Sequence, residues 1–304
     1  MSFVSIITVN YNNPVVTEEL LQSIFEKNGF SDIEIIVVDN GSKVNGVPAW
    51  IEKYPAVRFI RSETNLGFAG GNNLGITAAT GDYLFFVNND TEVTENLVGI
   101  LANTLDENAH VGVVSPAILF FDKPDIIQYA GFTKMNYLTG RNETIGIGEK
   151  NIGQYNNCIG KTAYAHGAAM MIRRTAIEKA GLMAENFFLY YEELDWCERI
   201  KQIGFEIWIN TNAIILHKES LTVGKHSALK EYYMNRNRIL FIRIHAQGFT
   251  YFGFMIYFLT VVSTRNIVNY IKHKQFRFIS ILFRAISWNF TNKVNSKRLY
   301  FPSS

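Results

Sequence analysis

Two short β-branched apolar runs, Val4–Val9 and Ile33–Val38, flank a polar stretch of helical character near the start of the chain. Phe59–Ile60 and Tyr83–Val87 supply further candidate strands, the 95–107 segment reads as a helix, and Val111–Val114 as the strand after it. Strands alternating with helices predict an α/β domain on a doubly wound, mostly parallel sheet of Rossmann-like character. Ligands of such sheets gather at the carboxyl ends of the strands. Residues 117–165, with scattered Gly, Asn and Thr, predict a hairpin-rich insertion. Ala168–Ile172 then reads as a strand, followed by a short helix ending near Gly181. Leu194, Cys197, Ile200 and Ile203 recur at helical spacing across Glu192–Ile203. Phe205–Ile209 and Ala213–Leu216 predict the last two strands.

The pattern changes after residue 227. Residues 228–246 predict a helix, and Phe252–Val262 is an apolar run of about a dozen residues, shorter than the roughly 20 that span a bilayer. Residues 276–290 interleave Phe276, Phe278, Ile279, Leu282, Phe283, Ile286 and Trp288 with Arg277 and Arg284. This divides the chain into an α/β domain over 1–227 and a helical extension over 228–304. Charge sharpens the boundary: no Asp or Glu follows Glu231, yet eleven of the 29 Lys and Arg do. The overall +2 therefore hides an acidic body and a basic tail. Such a tail implies an anionic partner, phospholipid or nucleic acid. Continuous Leu, Ile, Phe and Val runs disfavour nucleic acid, whose binders expose bases beside stacking aromatics. An interfacial amphipathic helix pair on an anionic membrane is the expectation. An ordinary buried helical subdomain is the competing reading.

Two cysteines, Cys158 and Cys197, cannot build a disulfide framework. The N-terminal stretch lacks a basic lead and a small-residue cleavage site, so it reads as a buried strand. Both features fit a cytoplasmic protein, peripheral on the inner face of the membrane.

Polar clusters stand at the predicted strand ends. Thr8-Val9-Asn10-Tyr11-Asn12-Asn13 follows the first strand, where a dinucleotide binder would carry G-x-G-x-x-G. Val37-Val38-Asp39-Asn40-Gly41-Ser42 ends a buried strand in a carboxylate able to accept from a base N–H or a ribose hydroxyl, though the same residues make a good turn. Asn65-Leu66-Gly67-Phe68-Ala69-Gly70-Gly71-Asn72-Asn73 is a glycine-rich segment feeding a helix N-terminus. Phe85-Phe86-Val87-Asn88-Asn89-Asp90-Thr91 offers oxygen ligands suited to Mg²⁺ or Mn²⁺. Glu192, Glu193 and Asp195 crowd one helix start, where the macrodipole alone favours acids.

In this order the clusters resemble the inverting glycosyltransferases of sequence family 2, with the GT-A fold, and within them the rhamnosyltransferase-like branch. The resemblance covers roughly residues 3–240 and implies a nucleotide-sugar donor, dTDP- or UDP-linked, with dTDP-rhamnose the leading guess. It implies that Asp39 holds the nucleobase with Thr8 and Asn10, and that Asn65 and Asn73 line the nucleoside pocket beside Gly67. Asn88-Asn89-Asp90 takes the place of the D-x-D metal motif, leaving Asp90 as the chief carboxylate for Mg²⁺ or Mn²⁺ and Asn89 as a donor-site residue. His217 would complete the metal site, with weaker claims for His166 and His226. The acidic cluster would supply the general base, Glu193 by register, with Glu192 or Asp195 able to take the role. Gly167 would let substrate approach the backbone. The implied acceptor is a glycan or a polyprenyl-diphosphate-linked glycan. The rival reading is a catalytically inactive nucleotide-binding membrane adaptor.

Overall fold

The computed structural model describes residues 2–218 and 227–298. Its first half is β1 (Val4–Asn10), α1 (Pro14–Lys27), β2 (Ile33–Asn40), α2 (Val47–Lys53), β3 (Val57–Ser62), α3 (Gly67–Ala78) and β4 (Tyr83–Val87). β1 pairs in parallel with both β2 and β4, and β2 with β3. Ile6 and Ile7, Val37 and Val38, and Phe85 and Phe86 are buried on both faces, which is why these strands are continuous apolar runs without alternation. Helix α3 lies close on β1: a Cβ on Gly75 would stand 2.4 Å from Ile7 Cγ2.

The second half comprises β5 (Thr91–Val93), α4 (Leu97–Glu107), β6 (Val111–Phe120), β7 (Lys123–Tyr129), β8 (Ile159–Lys161), β9 (Ala169–Arg173), α5 (Arg174–Ala180), α6 (Glu192–Gln202) and β10 (Glu206–His217). The sheet runs β3-β2-β1-β4-β9-β6-β10-β5, with β7 on β6 and β8 on β10. β9 is antiparallel to both β4 and β6, and β10 is parallel to β6 but antiparallel to β5. The sheet is therefore mixed α/β, consistent with a GT-A Rossmann-like fold, rather than mostly parallel. The apolar runs reported burial, and burial does not report direction. The two final strands expected over 205–216 are one strand, β10, whose register shifts between Asn210 and Ile214. The polar Asn210-Thr211-Asn212 is an irregularity within it, not a break.

The tail forms α7 (Ala228–His245), α8 (Gly248–Tyr257), a π-helical turn over Phe258–Val262, α9 (Ser263–Lys272) and α10 (Arg277–Thr291). Ile239, Leu240, Phe241 and Ile242 on α7 are fully buried in the same apolar cluster as Met170, Phe187 and Trp196. The apolar run expected to be too short for a bilayer is the middle of one continuous helix, Gly248–Lys272. Its 25 residues are long and apolar enough, by length and composition, to cross a membrane. The polar Ser263, Thr264, Arg265 and Asn266 ended the apolar run in sequence, yet the helix continues through them as α9. Phe254, Phe258, Val262 and Tyr270 are buried along this helix, while Phe249, Phe252, Ile256, Val268 and Ile271 are exposed. Tyr270 bonds to Glu231 on α7, and Asn266 Nδ2 donates to Asn235 Oδ1 at 3.3 Å.

The close seat of α3 on β1 predicts opposite results for two glycines. Gly75→Ala should lower unfolding free energy by about 1–3 kcal/mol, as overpacking does. Gly99→Ala, on α4 with only an ordinary 3.5 Å contact to Phe30, should be neutral or stabilise by up to about 1 kcal/mol. Denaturant midpoints measure both.

Candidate active site

β1, β2 and β4 end side by side, so parallel pairing collects their polar termini at one sheet edge. Asn10 and Asp39 are direct register partners. Asn10 Nδ2 donates to Asp39 Oδ1 at 2.9 Å, Ser42 Oγ donates to the same oxygen, and Arg61 pairs with Oδ2. Arg61 Nη2 also donates to Ser42 O at 2.9 Å. Asn10 Oδ1 accepts from Thr17 Oγ1 at 3.0 Å, and Thr17 Oγ1 accepts from Asn89 Nδ2 at 3.0 Å. One polar network thus joins Asp39 to the Asn89 segment. Thr8 is buried beneath this edge, its hydroxyl without a partner.

The Gly67 loop is stapled to β2. Asn40 Nδ2 donates to Gly67 O at 2.9 Å and to Asn65 Oδ1 at 3.2 Å, and Asn40 Oδ1 accepts from Leu66 N at 3.0 Å. Gly67 has φ +74°, and a Cβ there would meet Phe188 O at 2.3 Å, so glycine is required on both counts.

A cavity of about 490 Å³ opens at this edge. Of the residues expected from sequence, Asn65, Gly67, Asn89, Asp90, Gly167, Glu192, Glu193 and His217 line it. Thr8, Asn10, Asp39, Asn73 and Asp195 do not. Asn73 is taken up structurally: Nδ2 donates to Met183 O at 3.0 Å and Glu185 Oε1 at 3.1 Å, and Oδ1 accepts from Met183 N at 3.1 Å. Asp195 is buried between Arg199 Nε and His245 Nε2, both at 2.8 Å, facing the tail helix α7 instead of the cavity. His226 lies outside the described residues.

Two antiparallel pairings assemble the far wall. β9 beside β4 sets Val87 opposite Ala169, and Asn88 N donates to Ala168 O at 2.9 Å, which brings Gly167 to the edge. β5 beside the end of β10 sets Thr91 opposite His217. As a result His217 Nε2 lies 3.2 Å from Asp90 Oδ1, and both side chains are buried. His217 Nδ1 stands 2.9 Å from Gln128 Oε1 and donates there, which orients the ring with Nε2 toward the carboxylate. Gln128, in the insertion, carries no signal in sequence. His166 shares the cavity, stacked on Phe132 with Nδ1 accepting from Ala168 N at 3.1 Å, which leaves Nε2–H as a donor. Enclosure, and secondarily the charge of His217, push its pKa down to about 3.

The acids of α6 face the cavity from the opposite side. Glu192 is buried with Oε2 unpartnered, and burial followed by the neighbouring Glu193 raises its pKa well above the usual carboxylate range. Burial pushes Glu193 up to about 6, against helix-start amides that lower it. The loop ahead of α6 contains Phe188, Tyr190 and Tyr191 at φ +65°, +69° and +76°. Non-glycine residues in that region each cost of order 1–3 kcal/mol and persist only where surroundings over-determine them. Phe188 and Tyr190, unremarked in sequence beyond their place beside the acids, line the cavity as well.

Residues 5–181 match the family described as glycosyl transferase family 2. A low-salt glycan biosynthesis hexosyltransferase of Haloferax volcanii is 27% identical over 242 residues, covering 78% of this chain and 74% of that protein. An N-acetylglucosaminyl-diphospho-decaprenol L-rhamnosyltransferase of Mycobacterium tuberculosis is 22% identical, covering 64% of this chain and 70% of its own length. Among solved structures, a mannosyltransferase of Pyrobaculum calidifontis in complex with GDP-Man and Mn²⁺ superposes with a TM-score of 0.58 at 14% identity. It covers 96% of this chain and 88% of that one, a likeness of fold. Among the described residues, no group of three or more His, Cys, Asp or Glu is arranged to hold a metal ion. The Asp90–His217 pair, two side chains, is smaller than such a group.

The bonding of Asn73 predicts a structural role. Asn73→Ala should cost about 1–3 kcal/mol of stability through the unpaired groups around Met183. Nucleotide affinity, read by calorimetry, should stay at the wild-type value.

Proposed function

The chain belongs to glycosyl transferase family 2, and on that premise we propose that it transfers a sugar, with inversion, from a dTDP- or UDP-sugar to a lipid-linked glycan. The observation that carries the reading is the cavity itself. Glu193 on α6 and the Asp90–His217 pair, far apart in the chain, line one space at the carboxyl edge of the sheet.

Glu193 is the general base. With its pKa raised to about 6 it is ionised at neutral pH, yet basic enough to take the proton of an acceptor hydroxyl. The hydroxyl oxygen attacks the anomeric carbon as the bond to the nucleoside diphosphate breaks, and a single displacement inverts the centre. Glu192 is a poor base because burial keeps it protonated, and Asp195 is held by Arg199 and His245. Asn65 and the Gly67 backbone would bind the nucleotide, with Asp39, held in place by Asn10, Ser42 and Arg61, at the nucleobase end. Asp90 and His217 would supply two ligands to a divalent cation, since the Gln128 bond turns Nε2 toward Asp90 Oδ1 at 3.2 Å, where a deprotonated Nε2 would share the ion with the carboxylate. Bound there, Mg²⁺ or Mn²⁺ would stabilise the charge on the departing diphosphate. A rhamnosyl donor and a polyprenyl-diphosphate-linked acceptor are favoured by the named activity of the mycobacterial relative.

The tail would seat this site on a membrane. One side of Gly248–Lys272 packs into the fold through Phe254, Met255, Phe258, Val262 and Tyr270, a contact it would lose by crossing a bilayer. It lies on the surface instead, presenting Phe249, Phe252 and Ile256, with Phe276, Phe283 and Phe290 exposed on or beside α10. Lys272, Lys274, Arg277 and Arg284 are exposed nearby, each contributing roughly 1 kcal/mol at an anionic surface. Arg236 and Arg238 are buried and Arg243 donates to Asn289 O and Asn292 O, so these three bases are unavailable to lipid.

Glu193→Gln should lose about 10²–10⁴ in turnover while keeping donor affinity. Wild-type rate should fall as pH drops through about 6, where the base becomes protonated. Donor-hydrolysis and transfer assays test this; a crippled Glu192→Gln beside a mild Glu193→Gln would reverse the assignment, and absence of both reactions would favour the inactive adaptor. For the tail, flotation with vesicles containing anionic lipid should bind wild type and weaken as salt rises. The triple change of Phe249, Phe252 and Phe283 to Ser should release the protein and spare donor hydrolysis. Binding that survives that change would remove these aromatics from the contact, and a wild type that does not float would remove lipid from the account.

A further inference from the structure

The left-handed run at Phe188, Tyr190 and Tyr191 contains no glycine, so its conformation must be held from outside. The holder is on α7. Asn237, fully buried, donates from Nδ2 to the carbonyls of Phe187 at 2.9 Å, Leu189 at 2.8 Å and Tyr190 at 2.8 Å. Two hydrogens shared among three carbonyls fix that backbone from one point. Arg236 donates to Asn186 O at 2.6 Å and Phe187 O at 3.3 Å, and its Nη1 donates to Asn237 Oδ1 at 2.7 Å, which settles the orientation of the amide. Among the described residues no carboxylate pairs with Arg236. Its buried charge rests on loop carbonyls and on the faces of Trp288 at 3.8 Å and Tyr233 at 5.6 Å. Asn289 on α10 donates to Arg236 O at 3.0 Å.

An apolar contact would suffice to pack α7 against the body. A buried guanidinium and a buried amide, both directed at the carbonyls of a single strained loop, are more than packing requires. We propose that Arg236 and Asn237 are positioning residues, the amide of Asn237 holding the 186–191 backbone so that Glu193 is presented to the cavity. The inference rests on reading Glu193 as the base.

The test uses the full-length chain with Asn237→Ala and with Asn237→Asp, which keeps the shape and loses the donors. Turnover per folded molecule, donor KM and hydrogen exchange of peptides covering 186–191 are measured together. Both variants should lose about 10–100-fold in kcat with donor KM little changed, as small displacements of a reacting group do. Exchange at 186–191 should accelerate. Arg236→Lys, which retains charge and bulk but not the forked contacts, should shift all three readouts the same way by less. It carries the test if the Asn237 variants do not fold. Wild-type kcat in Asn237→Asp, or a fall in kcat with unchanged exchange at 186–191, overturns the proposal. A fully active Glu193→Gln beside a slowed, loosened Asn237→Ala would refute the base assignment and leave the clamp standing.

Discussion

The pairing of β5 with the end of β10 is the constraint on which the candidate site depends. It is three residues long, matching Thr91 to His217, Glu92 to Leu216 and Val93 to Ile215. So short a ladder is marginal alone, and here it is supported from both sides. Thr94 Oγ1 donates to Ile214 O, Ser23 Oγ on α1 accepts from Val93 N, and Lys218 bridges Glu19 and Glu92. Lys218 N donates to Asp90 O at 2.8 Å, which closes the last gap between the two segments. Slipping this register by one residue would turn His217 to the other face of the sheet and leave Asp90 buried without its neighbour.

Electrostatics follow from that geometry. Two glutamates side by side in an enclosed space cannot both be charged at ordinary cost, and their surroundings separate them. Glu192, unpartnered and fully enclosed, holds its proton, while Glu193 has helix-start amides that support the charged form. Across the cavity His166 is kept neutral by enclosure, and His217 is oriented by Gln128. The site thereby concentrates its negative charge on Glu193 and Asp90.

The tail belongs to this arrangement and is more than an attachment. α7 contributes the buried face that closes the core around Trp196, and His245 reaches Asp195 on the helix carrying the acids. α10 supports α7 through Trp288 and Asn289. Among the described residues, the outward faces of α8, α9 and α10 are left free, and most of the large exposed aromatics stand on or beside them.

Much of this was legible in the residues themselves. The apolar runs located β1 to β4, β6, β9 and β10, because a strand buried on both faces must be apolar throughout, but not the short or part-exposed β5, β7 and β8. The order of polar clusters at strand ends pointed to the family, and Asp90, His217 and Glu193, named through that resemblance, line one cavity. Strand direction was not legible: Ala169–Ile172 is equally apolar read either way, and the antiparallel placement of β9 arises from the chain threading between β4 and β6. Nor did composition reveal that Asp39 would meet Arg61, that Asn73 and Asp195 would serve structure, or that Gln128 would orient His217. Asp39–Arg61, Asn73–Met183, Gln128–His217 and Asp195–His245 join residues 22 to 110 positions apart. The eleven bases of the tail looked uniformly available, yet three turn inward because buried carbonyls needed donors. Periodicity and motif order depend on local chemistry, so the chain carries them alone; hydrogen-bond partners across the fold exist only once packing has brought them together.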